Sequence, residues 1–175
     1  SRTPLLTAFS KLEKEMLVEL VPRRGAFVKK YELEELVDIY EIRIRLEPLG
    51  AAEAARHGSD EGISQLLSLC SRFSELVRAG DPGVKEVDYE FHMKIMELSG
   101  NELLYNIISS YSIIPIANFY GFFKEPATSA SEHEVLCDAI RHRDVQAARR
   151  LMFAHVDSSR KHLLAHIGET KPAGA

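Results

Sequence analysis

From Tyr31 onward, apolar residues recur at the three- and four-residue spacing by which a helix presents one face to a core. This spacing predicts amphipathic helices, and no strand-like alternation follows Lys30. Short breaks containing Gly, Pro, Ser or Asp interrupt the pattern, and these residues commonly end or cap helices. The sequence therefore predicts an all-α fold, an antiparallel helical bundle of six to seven helices.

The breaks define the expected bounds of these helices. Ser59 or Asp60 is expected to cap the second helix, Asn101 the fourth and Asp144 the last. Pro115 should kink or divide the fourth helix, because proline removes a helical hydrogen bond. The predicted helices span residues 33–57, 61–79, 84–98, 102–123, from 129 or 131 to 143, and from 145 to just before 168.

The first 30 residues differ from the rest of the chain. A predicted helix over residues 3–16 has Thr3 as its cap, and two short strands follow it. The turn between the strands carries Arg23 and Arg24 at its tip. A helix followed by a basic-tipped hairpin resembles the end of a winged helix-turn-helix. The expected regions are strands over 17–21 and 26–30, a partial winged helix-turn-helix over 1–30, a helical domain over 31–168 and a flexible tail over 169–175.

Charge is distributed unevenly between these regions. The chain has a net charge of −4, but its first 30 residues carry seven basic and three acidic side chains, or +4. The remaining residues therefore carry −8. A basic head on an acidic body predicts that only the head approaches a polyanion such as DNA, although chance also produces such an asymmetry.

Several classes of protein are excluded by composition. No stretch approaches the roughly 18 apolar residues of a transmembrane helix, so no membrane partner is expected. The two cysteines, Cys70 and Cys137, form neither a disulfide framework nor a cysteine-rich zinc finger. With 45% hydrophobic and 27% charged residues, the chain has the balance of a globular domain, and we expect it to be cytoplasmic.

Four side chains are candidates for a metal site. Asp88 and His92 lie four residues apart on the third predicted helix and share one face. His133 lies on the fifth helix and His155 on the sixth, whose inward face is formed by small and apolar neighbours. If these helices meet, three imidazoles and one carboxylate converge, a ligand set that suits zinc or nickel, or else manganese or cobalt, rather than calcium. Single histidines on helices are, however, commonly packed without a metal.

Arg43 is the fifth residue of interest. Leu36, Ile39 and Leu46 fall on the same face of the first long helix, so Arg43 should point at least partly inward. A buried guanidinium needs a partner. Glu47, four residues further on, would form an internal ion pair, whereas a bound carboxylate would accept two parallel hydrogen bonds. The sequence leaves both partners open.

Several segments resemble one family of transcriptional regulators, the GntR family. Residues 1–28 (SRTPLLTAFSKLEKEMLVELVPRRGAFV) resemble its recognition helix and wing. Residues 40–55 (YEIRIRLEPLGAAEAA) resemble the opening helix of the ligand-binding FCD domain of its FadR-like branch. Later signatures of that domain are matched in the same order by DYEFH (88–92), SGN (99–101), EHEVLCDAIRHRD (132–144) and ARRLMFAHV (148–156).

The resemblance implies a homodimeric, ligand-responsive regulator that binds operator DNA and is not an enzyme. In the metal-binding members, the residues that match Asp88, His92, His133 and His155 hold a divalent metal on which a small carboxylate effector rests. The residue matching Arg43 is similar to one that contacts this effector. Asn101 matches a position near the pocket, although a helix cap is its simpler role.

The resemblance also implies which residues meet DNA, and where this chain departs from its relatives. Arg2, Thr3, Arg23 and Arg24 remain as contact candidates, the last two suited to phosphates or the minor groove. Leu6 stands where the family commonly has an arginine, so a different sequence preference is expected. The sequence starts just before the recognition helix, which indicates a DNA-binding domain truncated at its N-terminus.

Two other interpretations stay open at this point. Three histidines and an aspartate with free coordination positions could activate water in a metal-dependent hydrolase. No acidic residue is clearly placed as a general base, however, because Glu132 projects about 100° away from the adjacent His133 along a helix. The other interpretation is a metal-free regulator whose polar cluster is structural and whose ligand binds elsewhere.

Overall fold

Helices make up most of the described structure. The computed structural model describes residues 2–110, 114, 116 and 124–170. Its elements, in chain order, are α1 (Arg2–Lys14), β1 (Val18–Val21), β2 (Gly25–Val28), α2 (Leu33–His57), α3 (Asp60–Ala79), α4 (Val84–Leu98), α5 (Glu102–Ser110), α6 (Pro126–Arg141) and α7 (Val145–Thr170). The prediction of an all-α bundle preceded by part of a winged helix-turn-helix is confirmed. No helix within these residues is long and apolar enough to cross a membrane.

The predicted caps account for most of the observed helix bounds. The Ser59 side chain accepts a hydrogen bond of 3.1 Å from the Gly62 N–H, which makes Ser59 the cap and Asp60 the first residue of α3. Asp144 caps α7 by accepting a hydrogen bond of 2.9 Å from the Ala147 N–H. Gly80 ends α3 in the left-handed conformation, with φ of 65°, which glycine adopts without steric cost.

Several predicted bounds differ from the structure. α1 spans Arg2–Lys14 rather than residues 3–16, so Thr3 lies inside the helix and is not its cap. α6 ends at Arg141 rather than near 143. α6 begins at Pro126 rather than at Ser129 or Ser131, because proline suits the first helical turn, where its missing N–H has no helical acceptor. α7 continues through Gly168 to Thr170, and the buried side chain of Ile167 holds this last turn against the bundle. The predicted flexible tail therefore begins inside a helix, and its residues 171–175 lie outside the described residues, as does the predicted kink at Pro115.

The predicted hairpin is present but shorter than expected. β1 and β2 pair antiparallel, with Val18 opposite Val28 and Val21 opposite Gly25. Arg23 in the connecting turn has a φ of 65° and Gly25 a φ of 110°, so the chain reverses within three residues. This geometry places the two arginines of the turn at the exposed tip of the hairpin.

The position of α2 determines where the polar residues of the bundle meet. α2 packs against α7 and α4, while α3 packs against α4 and α6. Gly50 lies against the Met96 side chain of α4, and a Cβ atom built on it would be 2.3 Å from the Met96 Cε atom. One turn earlier on each helix, Glu47 of α2 contacts His92 of α4. The packing of α2 on α4 therefore brings a carboxylate into contact with a histidine.

Two glycine substitutions should have opposite effects on stability. Gly80→Ala should lower the free energy of unfolding by about 1–2 kcal/mol, because alanine is strained at positive φ. Gly168→Ala, in a helical position with open space around it, should raise it by about 0.5–1 kcal/mol. Urea denaturation followed by circular dichroism measures both. Equal effects of the two substitutions would contradict the left-handed cap at Gly80.

Candidate metal centre

Three buried histidines from three helices converge at one point of the bundle. They are His92 on α4, His133 on α6 and His155 on α7, each at most 5% exposed. The His155 Nε2 atom lies 3.2 Å from Nε2 of His133 and 3.3 Å from Nε2 of His92. Ligand nitrogens at about 2.0–2.1 Å from one zinc ion would be separated by roughly 3.0–3.4 Å. These spacings are those of imidazoles arranged around one cation.

The fourth predicted ligand lies beside this cluster. Asp88 is buried one helical turn before His92. Its Oδ1 atom is 3.6 Å from Nε2 of His133 and 3.9 Å from Nε2 of His92. The structure therefore brings together all four residues that the sequence selected as metal ligands.

Two carboxylates determine the orientation of the histidine rings. Glu47 of α2 accepts a hydrogen bond of 2.5 Å from Nδ1 of His92, and Glu132 of α6 accepts one of 2.7 Å from Nδ1 of His155. A carboxylate only accepts, so each Nδ1 carries a proton, and the opposite nitrogen of each ring, Nε2, is the one directed at the cluster. The Nε2 atoms of His92 and His155 thus face each other 3.3 Å apart, where one cation could bind both.

Two of the three imidazoles are uncharged. Burial holds the pKa of both His133 and His155 well below the ordinary histidine value, and the positive charge of Lys124 lowers it further. Both rings are therefore neutral, which is the form that binds metals. The Nδ1 atom of His133 is buried and has no hydrogen-bond partner among the described residues. Its ring stacks instead on Phe91, with centroids 4.0 Å apart.

Arg43 is buried and takes the internal partner that the sequence left open. Its Nε atom donates a hydrogen bond of 2.5 Å to Oε1 of Glu47, and both residues are at most 3% exposed. Burial alone would raise the pKa of Glu47, but the charge of Arg43 and the bond from His92 hold it far below its usual range. A bound carboxylate as an additional partner of Arg43 stays a prediction.

Sequence reasoning missed two residues of this site. Lys124 precedes α6, is only 4% exposed and donates a 2.8 Å hydrogen bond to the main-chain oxygen of His155. It also forms a short ion pair with Glu132. Burial lowers the pKa of Lys124, and the charge of Glu132 partly offsets this shift. The helical position of Glu132 predicts that it points away from its neighbour His133. The structure shows that it contacts His155 on the neighbouring helix instead.

The remaining predicted contact residues lie at the surface. Asn101 caps α5, since its Oδ1 atom accepts a hydrogen bond of 3.0 Å from the Leu104 N–H. Thr3, Arg23 and Arg24 are exposed on the head, and the side chain of Arg2 lies outside the described residues. The effector role of Asn101 and the DNA contacts of these head residues stay predictions.

Comparison with known proteins finds one matching domain family and several relatives named as transcriptional regulators. Residues 38–158 match the family model of the FCD domain. The Nta operon transcriptional regulator of Aminobacter aminovorans is 30% identical over 112 residues, which are 64% of this chain and 53% of that protein, so the chain spans about half the length of this relative. The HTH-type transcriptional repressor GlaR of Escherichia coli is 28% identical over 166 residues, or 87% of this chain and 75% of the repressor.

Solved structures share the fold at low identity. Streptococcus agalactiae GntR is 24% identical with a TM-score of 0.65, and the match covers 92% of this chain and 82% of that one. The metal-free FCD domain of TM0439 is 17% identical with a TM-score of 0.65, covering 81% of this chain and 99% of that one.

The match to the family model covers most of the chain, and the chain therefore belongs to the FCD domain family. Its FCD domain is of the kind found in GntR/FadR-like regulators, as its motifs predicted. The relatives are named as transcriptional regulators, and these names favour a regulator over the hydrolase alternative.

Removing the charge of Glu47 should destabilise the fold. Glu47→Gln leaves the Arg43 guanidinium buried without its carboxylate, which should lower the free energy of unfolding by about 3–5 kcal/mol. Glu41→Gln is the matched control, because this half-buried residue of α2 pairs with Arg45 and Arg160 near the surface and should cost less than about 1 kcal/mol. Urea denaturation in the presence of a chelator measures both. Similar losses for the two variants would contradict a buried, fully paired Glu47.

Proposed function

We propose that this chain is a metal-dependent, effector-responsive transcriptional regulator. Its helical domain, residues 31–168, binds a divalent metal through Asp88, His92, His133 and His155. A small organic acid binds at this metal centre and changes the affinity of the homodimer for operator DNA. The partial winged helix-turn-helix of residues 1–30 meets the DNA in the full-length, cytoplasmic protein.

The observation that carries this proposal is the convergence of three imidazole nitrogens and one carboxylate on a single buried point. Glu47 and Glu132 hold protons of His92 and His155 on Nδ1, so the Nε2 atoms, 3.3 Å apart, are the nitrogens directed at this point. Nε2 of His133 lies 3.2 Å from Nε2 of His155, and Oδ1 of Asp88 lies 3.6 Å from Nε2 of His133. A cation at this point would be within reach of all four ligand atoms.

The donor set narrows the choice of metal. Imidazole nitrogens with a single carboxylate suit zinc and nickel, with manganese and cobalt as the next candidates, and disfavour calcium, which takes oxygen ligands. The FCD domain of TM0439 was solved in a form described as metal-free, which supports a metal site in this fold.

The charge of the site favours an anionic effector. Arg43 balances Glu47 and Lys124 balances Glu132, which leaves the negative charge of Asp88 and three neutral imidazoles. A bound dication would give this group a net charge of about +1 and attract a carboxylate. Arg43 and Asn101 are the proposed effector contacts of the protein itself.

α2 is the proposed connection between the effector site and the DNA-binding head. Four residues separate the helix from the end of the hairpin, and Arg43 and Glu47 lie at the middle of the helix. Just before it, the Tyr31 hydroxyl donates a 2.6 Å hydrogen bond to the main-chain oxygen of Met16 in the head. An effector that favours one position of α2 would therefore favour one arrangement of the head. The extent of this shift is limited by the difference in effector affinity between the two arrangements.

Removal of one imidazole should abolish metal binding. His133→Ala is expected to remove the stoichiometric metal from the purified protein, measured by elemental analysis. His162→Ala is the matched control, because His162 lies exposed on α7 and should leave the metal content unchanged. Chelation should also lower the melting temperature of the wild type but not of His133→Ala, since metal at 100 times its Kd stabilises by about 2.7 kcal/mol. Unchanged metal content in His133→Ala would refute the assignment.

The two arginines of the wing, Arg23 and Arg24, should contribute to DNA affinity by the same amount whatever the DNA sequence. Arg23→Ala and Arg24→Ala in the full-length protein should each weaken binding to duplexes of unrelated sequence and reduce the log–log salt slope by about 1. Arg149→Ala, an exposed arginine on α7, should leave both quantities unchanged. Fluorescence anisotropy over a series of salt concentrations measures them. A salt slope unaffected by the wing substitutions would exclude phosphate contacts at this tip.

A further inference from the structure

We infer that Glu132, held in place by Lys124, is a positioning residue that selects the tautomer of His155. This inference rests on the proposed metal centre, but it assigns a role to two residues outside the proposed metal ligands and effector contacts. Both residues contact the side of the His155 ring that faces away from the cluster, at Nδ1.

A hydrogen-bond acceptor and a hydrogen-bond donor compete for Nδ1 of His155. Oε2 of Glu132 lies 2.7 Å from Nδ1 of His155, and Nζ of Lys124 lies 3.2 Å from the same atom. A carboxylate is only an acceptor and an ammonium only a donor. With Glu132 as the partner, Nδ1 carries the proton and Nε2 offers its lone pair to the cluster. With Lys124 as the partner, the proton moves to Nε2 and the cluster loses a ligand.

The geometry favours Glu132 and gives Lys124 a supporting role. The carboxylate is closer to Nδ1 than the ammonium by half an ångström. Lys124 forms an ion pair with the same Oε2 atom and donates a 2.8 Å hydrogen bond to the main-chain oxygen of His155. The ammonium thus anchors the carboxylate against the histidine backbone. If the carboxylate were removed, the same ammonium would become the competing donor.

His92 provides an internal comparison. Glu47 holds the Nδ1 proton of His92 and is itself paired with Arg43, so each of these two histidines has a cation–carboxylate pair behind it. The side chain of Glu47 is fully buried, whereas that of Glu132 is 29% exposed. His155 is therefore the ligand whose tautomer depends on a carboxylate within reach of solvent.

The tautomer can be measured without any metal. In the metal-free wild type, nitrogen chemical shifts from long-range proton–nitrogen NMR should show His155 protonated at Nδ1. Lys124→Met should leave this tautomer unchanged, while Glu132→Ala should move the proton to Nε2. The same tautomer in Glu132→Ala as in the wild type would overturn the inference.

Zinc affinity gives a second, independent readout. Competition with a chromophoric chelator should show binding weakened by about 10–100-fold in Glu132→Ala, a loss common for partners of ligating histidines. The double variant with Lys124→Met should bind zinc more tightly than Glu132→Ala alone, because the competing donor is gone. A purely structural role predicts that the double variant binds no better. Glu134→Ala is the control, since this exposed carboxylate of α6 contacts Ser74 and should not affect zinc binding.

The design separates failure of the inference from failure of the proposed function. A wild type that binds no zinc but shows the predicted tautomers contradicts the metal centre and supports the role of Glu132. Zinc binding with unchanged tautomers and affinities overturns the role of Glu132 alone. If Glu132→Ala does not fold by circular dichroism, Lys124→Met is compared with the double variant. These two differ only at Glu132, and equal zinc affinity would overturn the inference.

Discussion

The constraint on which the site depends is the convergence of three buried imidazoles on one point. α4, α6 and α7 each contribute one of these histidines, and the carboxylates of Glu47 and Glu132 direct Nε2 of His92 and Nε2 of His155 toward each other. An ion bound at this point would link the three helices, so helix packing and cation binding would be coupled.

α2 completes this arrangement. The carboxylate of Glu47 spans from Arg43 on its own helix to His92 on α4. One turn further along, Gly50 accommodates the Met96 side chain of α4. A larger residue at position 50 would displace the flexible end of Met96, one turn from His92.

Helical spacing predicted pairs within a helix but not contacts between helices. Asp88 with His92, and Arg43 with Glu47, could be predicted because residues four apart share a face. Glu132 could not, because its partner lies on α7 and the sequence does not state which helices are neighbours. Lys124 lies outside any periodic segment, so no pattern marked it as buried. The start of α6 was also displaced, since its proline was not recognised as a first-turn residue.

In the proposed function, α2 connects the effector site to the head, while α4, α6 and α7 supply the metal ligands. α2 contributes Glu47 and Arg43, and it packs along α7 and against α4. A ligand that competes for Arg43 would alter the balance of the Arg43–Glu47–His92 chain and thus the contact of α2 with α4. Because Tyr31, two residues before α2, is bonded to the main chain of Met16, a displacement of α2 would reach the head directly.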